Sequence, residues 1–208
     1  MSPKVAASNR ETYFKIRRER ILDAAIQVFG EKGFSAASVA GIAEAAKVAK
    51  GTIYLYFPSK DDIFAAILAE RSFIPQLSSY VADRERPLEE VLKEIAFGYL
   101  DYIQKNLSLT RLMMTDAVRF PEHARLMYQE VILKAVELLA GYLDHQAQRR
   151  AIRALDDPFL TARTFLGMLA SYVLSQELLG GKFIQPISEH LWAREAVKVF
   201  VAGLRIGY

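Results

Sequence analysis

The sequence predicts an all-α protein: a three-helix head at the N-terminus, followed by a longer helical body. Three observations carry this. Apolar residues recur at helical spacing in almost every segment. Caps and breakers punctuate the periodic runs. The composition, 52% hydrophobic and 25% charged over 208 residues, is that of a chain able to bury a core.

Ser8-x-x-Glu11 reads as a capping box opening the first helix, whose Ile21, Ala25, Val28 and Phe29 follow at helical spacing until Lys32-Gly33 closes it. Ser38 caps a short second helix in which Val39, Ile42, Ala43 and Ala46 fall on one face. Ile53 and Phe57 form an i, i+4 apolar pair in a third, and Pro58 disfavours its continuation. Ser59 and Asp62 sign the start of a fourth, through Ile63, Ile67 and Leu68 toward Phe73. Pro75 and the polar run 83–87 then separate this helix from the body. There, helices are expected over roughly 88–106, 110–120, 122–149, 158–179 and 187–206.

Composition excludes several function classes. The chain has no cysteine, so disulfide frameworks and thiolate metal sites are ruled out. The polar start lacks the apolar stretch of a secretory signal, and the most apolar segment, Phe165–Leu174, is too short to span a bilayer. A cytoplasmic protein is expected. Residues 1–60 hold ten Lys and Arg against five Asp and Glu; the remaining 148 residues hold 17 against 19. A basic head on a mildly acidic body is an electrostatic footprint for phosphate, although a run of charge is also what any solvated face carries.

Residues 38–57 are two short helices joined by a tight turn, each with one apolar stripe: a helix-turn-helix. Turning Ile53 and Phe57 inward leaves Gly51, Thr52 and Leu55 outward, with Tyr54 and Tyr56 on the flanks. That face suits a DNA major groove. Gly51 permits close approach, Thr52 and Leu55 reach base edges or a thymine methyl, and Lys50 reaches a guanine or a phosphate. The tyrosine hydroxyls and Lys60 suit the sugar-phosphate backbone. The competing reading makes Tyr54 a packing residue over the first helix. Lys4, Arg10, Lys15, Arg17 and Arg18 form either a minor-groove arm or a disordered basic tail.

The stretch ILDAAIQVFGEKGFSAASVAGIAEAAKVAKGTIYLYFPSKDDIFAAIL, residues 21–68, resembles the DNA-binding domain of the TetR/AcrR family of bacterial transcriptional regulators. The likeness lies in its GF before the second helix, its IA within it, its KGTIYxYF third helix and its SKDDIF. It implies DNA contacts from Lys50, Gly51, Thr52, Tyr54, Leu55, Tyr56 and Lys60. Lys47 stands where the family commonly has a turn glycine, and Ala49 where a hydroxyl residue often caps the third helix. The resemblance further implies a DNA-binding domain over 1–62 and a ligand-binding and dimerisation domain over 63–208. It implies a homodimer on a near-palindromic operator, acting as a repressor released by a small molecule. No cofactor and no membrane are implied.

In the body, the helix from Pro158 is apolar almost all round, and the last helix carries two apolar stripes, so each needs more than one partner surface. Pairing with a second copy is the simplest source of that cover. Tyr102, Met113, Phe165, Met168 and Tyr172 are the candidate lining of a pocket for an apolar or aromatic effector, since methionines and aromatics make adaptable apolar walls; the competing reading is plain core. Asp116 and Arg119 read as a surface ion pair. Enzymatic activity is the alternative from a different class, but His123, His145 and His190 share no metal-ligand spacing. A body that serves only dimerisation or protein contact is a third reading.

Overall fold

Helical spacing is realised almost throughout the chain, and the described residues of the computed structural model form no strand. The structure describes residues 3–205, with side chains from Thr12 onward. The side chains of Lys4, Ser8, Arg10 and Glu11, and the helix end expected at Ile206, lie outside it. The chain divides into two compact units. One comprises residues to Arg71 together with Leu112–Ala124, and the other Ser72–Arg111 with the chain from Arg125 onward.

In the first unit, α1 spans Pro3–Ala36, α2 Val39–Ala45, α3 Lys50–Tyr54 and α4 Lys60–Arg71. The segment expected to be an arm or a tail is the first part of α1, which begins ahead of the Ser8-x-x-Glu11 box. Gly33 breaks α1's helical geometry at φ 74°, a conformation glycine adopts without the clash a Cβ brings. Ser38 caps α2 by accepting from the Gly41 N–H at 3.1 Å. Ser59 accepts from the Asp62 N–H at 3.1 Å and donates to the Asp62 carboxylate at 2.6 Å, giving α4 its start. The core of this unit holds Ile21, Leu22 and Phe29 of α1, Ile42 of α2, Ile53 of α3, and Ile63, Phe64, Ile67 and Leu68 of α4, all buried. Ion pairs of Arg18 with Glu70 and of Arg71 with Asp23 lie along α1 and α4. The apolar stripe of α4 is buried within this unit, where α4 packs beside α1.

The second unit contains α5 (Ile74–Val81), α6 (Leu88–Lys105) and the start of α7 (Leu107–Arg119). After α8 (Pro121–Met127) come a π-helical turn at Tyr128–Leu133, α9 (Lys134–Gln148) and α10 (Pro158–Tyr172). A second π-turn (Val173–Leu178), a 3₁₀ turn (Gly181–Phe183) and α11 (Glu189–Leu204) complete it. The sequence reading takes Pro75 as a separator, whereas the structure uses it to start α5: in a first helical turn the missing N–H has no intrahelical partner to lose. Asp157 caps α10 by accepting from the Leu160 N–H at 2.9 Å. Val91, Leu92 and Ile95 of α6, Leu139 and Leu143 of α9, Phe165 and Leu169 of α10, and Ala193, Val197 and Phe200 of α11 belong to one buried cluster. Full burial of each large member stabilises by about 1.5–3 kcal/mol. The Tyr142 hydroxyl donates to the Arg86 carbonyl at 2.8 Å, which ties α9 to the loop before α6.

Candidate functional site

The third helix owes its orientation to two side chains. Ile53 and Phe57 are buried, while Lys50, Gly51, Tyr54 and Leu55 are exposed and Thr52 and Tyr56 half-buried. Leu55 is 78% exposed and Tyr54 47%. A leucine left so open on a helix whose opposite side is fully packed is available to another surface. The Lys50 ammonium sits 6.0 Å from the centroid of the Tyr54 ring, and the Tyr56 ring lies 5.5 Å from Phe14 of α1. Tyr56 is therefore packed and positioned, while Tyr54 stays open.

The turn between α2 and α3 carries the two departures from the family pattern. Lys47 adopts φ 54°, the left-handed conformation that glycine takes more easily. Ala49 has the extended backbone of an N-cap but offers no side-chain acceptor. Arg20 of α1 donates to the Ala46 carbonyl at 2.5 Å and to that of Lys47 at 3.4 Å, fixing this turn from outside.

Lys60, expected at a phosphate, has its ammonium turned to the end of α1. It donates to the carbonyls of Phe34 at 2.6 Å and Ala37 at 3.0 Å, with that of Ser35 at 3.4 Å, and lies 4.3 Å from the centre of the Phe34 ring. This follows from helix physics. The last carbonyls of a helix lack intrahelical partners and form the negative end of its dipole, so a nearby cation settles there. Of the basic residues in the expected arm, Arg18 pairs with Glu70 and lies over Phe57, and Arg17 lies over Tyr13.

Sequence reasoning missed a buried cluster in the same unit. His123 is 3% exposed, with its ring 4.3 Å from Phe64, 4.4 Å from Phe34 and 5.2 Å from Phe120. Its Nε2 lies 3.4 Å from Asp61 Oδ1 at the start of α4, and its Nδ1 has no hydrogen-bond partner among the described residues. Asp116, expected in a surface ion pair, is 3% exposed, and its Oδ2 has no hydrogen-bond partner among the described residues. Burial pushes its carboxyl up, against the pull of His123, Arg119 and Lys60.

The second unit holds a cavity of about 260 Å³. Its walls come from α5 (Phe73, which precedes the helix, and Leu77), α6 (Tyr99), the first π-turn with α9 (Val131, Ile132, Val136) and α10 (Arg163, Leu166, Gly167). None of the five expected pocket residues lines it. Phe165 is fully buried against Phe200 at 4.9 Å, and Tyr172 is buried with its hydroxyl donating to the Ile187 carbonyl. The Met168 carbonyl accepts from the Trp192 indole, and the Tyr102 ring lies 5.8 Å from Phe73. Met113 belongs to the first unit. The sequence signal that was available is the one-turn spacing of Tyr99 from Tyr102 and of Leu166 from Arg163.

A helix-turn-helix head with an open third helix, joined to an all-helical body with an apolar cavity, defines a DNA-binding regulator with capacity for a small ligand. Residues 21–67 match the N-terminal signature of bacterial regulatory proteins of the tetR family, and residues 90–203 match the C-terminal domain of AefR-like transcriptional repressors. The chain belongs to the TetR family of bacterial transcriptional regulators, which are DNA-binding proteins and not enzymes. The fatty acid metabolism regulator protein of Bacillus subtilis is 32% identical over 60% of this chain and 61% of its own. Among solved structures, the flavonoid-responsive regulator FrrA is 29% identical with a TM-score of 0.68, covering 93% of this chain and 100% of its own. A TetR-family regulator from Mesorhizobium loti, 23% identical over 92% of this chain and 98% of its own, shares the fold with a TM-score of 0.76. Among the described residues no helix is long and apolar enough to cross a membrane.

Proposed function

We propose that this chain is a homodimeric repressor that binds a near-palindromic operator in the cytoplasm and is released by a small, largely apolar or aromatic molecule. In this reading the head is the DNA-binding domain and the body the ligand-binding and dimerisation domain. One observation carries the DNA reading: α3 keeps Leu55, Tyr54, Lys50 and Gly51 open while Ile53 and Phe57 anchor its back. Thr52 and Leu55 read base edges, Lys50 reaches a guanine or a phosphate, and Tyr54 and Tyr56 grip the backbone beside Gly51.

Support for the dimer comes from apolar side chains left open on the last two long helices, Leu160 and Leu174 on the α10 side and Leu191 and Val199 on α11. A second copy would cover both faces. Support for the ligand comes from the cavity and from two relatives, one a regulator of fatty acid metabolism and the other responsive to flavonoids. A ligand that favours the form with low operator affinity supplies a coupling of about 1–3 kcal/mol, some 5–150-fold in binding.

Selection of bound sequences from random duplex DNA tests this reading. The expected product is a two-fold-symmetric motif bound by a dimer, with affinity falling steeply as salt rises. Recovery of no enriched motif would overturn the DNA reading. A monomer at micromolar concentration would overturn the dimer.

A further inference from the structure

The cavity between α5, α6, α9 and α10 is apolar on almost every side, yet two polar side chains stand in its lining. Arg163 lies on α10 and Tyr99 on α6. The other walls include Phe73, Leu77, Val131, Ile132, Ala135 and Leu166. Arg163 is exposed, so its guanidinium is hydrated beside these apolar walls and is open to an acidic group that rests on them. Arg163 has no ion-pair partner among the described residues. What it has is Tyr128, whose hydroxyl accepts a hydrogen bond from its Nη1 at 3.1 Å and whose ring lies 5.8 Å from its charge. Those contacts fix the guanidinium, use one of its five N–H donors and leave its charge unmatched.

The fixing residue comes from an unusual piece of backbone. Tyr128 opens the π-turn Tyr128–Leu133, and the same turn supplies Val131 and Ile132 to the cavity wall. π-turns are rare, cost hydrogen-bond geometry and recur at functional sites. Here a single turn both shapes the apolar wall and orients the cation. On the facing helix, burial pushes the Tyr99 phenol up to about 12, so it remains a neutral hydroxyl, and no hydrogen bond from it occurs among the described residues.

We propose that this cavity binds an amphipathic monoanion, with its apolar body against Phe73, Leu77, Val131 and Leu166 and its acidic end on Arg163, assisted by the Tyr99 hydroxyl. This rests on the reading of the cavity as the effector site and adds the chemical class of the effector. The volume, about 260 Å³, lies just under the usual range for small-molecule sites, which selects a single-ring acid or a medium-length alkyl acid. A guanidinium suits a carboxylate because its planar fork matches the two oxygens.

The test uses the full-length protein and two matched pairs of probes, octanoate with octan-1-ol and 4-phenylbutyrate with 4-phenylbutan-1-ol, titrated by calorimetry at pH 7.5. The acid of at least one pair is expected to bind about tenfold or more tightly than its alcohol. Arg163→Met should remove that preference while leaving alcohol binding within about twofold, and Arg163→Lys should retain part of it. Arg163 is exposed, so the variants fold. Leu166→Trp, which fills the cavity, should abolish binding of acid and alcohol alike; Ala135→Phe serves the same purpose from α9. Equal binding of acid and alcohol, or an acid preference that survives Arg163→Met, overturns the acidic class and leaves the cavity reading standing. Binding of no probe by the wild type, or binding unaffected by both filling variants, overturns the cavity reading itself.

Discussion

Lys60→Ala separates two roles that the sequence alone cannot. As a phosphate contact, Lys60 would contribute to DNA affinity; as the structure places it, it closes the end of α1 through the carbonyls of Phe34 and Ala37. Hydrogen bonds from a charged donor contribute about 1.5–3 kcal/mol each. The charge at a helix C-terminus adds about 0.3–1 kcal/mol, and the ring of Phe34 about 0.5–2 kcal/mol. Against these stands the loss of about 1.5–2 kcal/mol in ordering a lysine side chain, and water replaces part of the lost bonding once the ammonium is gone. The net expectation is a loss of about 2 kcal/mol, or a fall of about 4–8 °C in Tm for a chain of this size. The assay pairs thermal unfolding with operator binding across a salt series, both below the variant's transition. Each phosphate neutralised contributes about 0.9 to the slope of log K against log salt, so a Lys60 contact in each half of a dimer would remove about 1.8. The expected result is a lower Tm with an unchanged slope. An unchanged Tm with a slope smaller by about 1.8 would refute the helix-closing role.

Four further variants of the first unit have outcomes of their own. Ala49→Ser should stabilise the protein by about 1 kcal/mol, because the extended backbone at Ala49 already suits an N-cap; Lys47→Gly should add about 0.5–1 kcal/mol by relieving the positive φ. Chemical denaturation measures both, and a loss of stability in either variant would show that the turn is set by something else. Leu55→Ala should change stability by less than about 0.5 kcal/mol, since the side chain is exposed, yet shift discrimination at one operator base pair by about 1–3 kcal/mol in competition binding; uniform weakening across all sequences would remove Leu55 from base readout. Asp116→Asn tests a pH dependence. Burial raises this carboxyl above its ordinary 3.8, so the folded state holds its proton more tightly than the unfolded chain. The wild type's benefit is complete below the ordinary value and is lost as pH rises through the folded value. The stability of Asp116→Asn relative to wild type should therefore increase from pH 4 to pH 7, and a difference that is flat or falls would sink the argument.

The head was legible because its signals are local. Ser38 and Ser59 cap the helices that follow them, Gly33 breaks the first, and the inward pair Ile53 and Phe57 fixes which side of α3 is open. Each of these depends on residues within about one helical turn. What was not legible depends on residues far apart in sequence. The role of Lys60 is set by carbonyls more than twenty positions earlier, so no pattern around residue 60 reports it. The cavity is assembled from four separated stretches, and ranking residues by aromatic or methionine character selected Phe165 and Tyr172, which the all-apolar α10 turns into the core. The wall belongs instead to the flank of that helix, at Arg163, Leu166 and Gly167. Pro75 was misread for a different reason: a proline marks a helix start as readily as a break, and only the following Leu77 and Val81, one turn apart and both buried, decide between them.

Residues 46–57 show how a local deficit is met by distant packing. A helix as short as Lys50–Tyr54 has no stability of its own, because nucleation fixes several residues for its first hydrogen bond. This one also lacks a side-chain cap and follows a lysine in a left-handed conformation, two departures that together remove about 1–2 kcal/mol relative to serine and glycine at those positions. Its stability must then come from elsewhere in the head. Ile53 and Phe57 contribute about 1.5–3 kcal/mol each by burial, and Arg20 of α1 holds the carbonyls of Ala46 and Lys47 with a charged donor. Burial fixes which face of α3 is turned outward, while Arg20 fixes the turn through which α3 is joined to α2. The orientation of the outward face is thus a property of α1 as much as of α3.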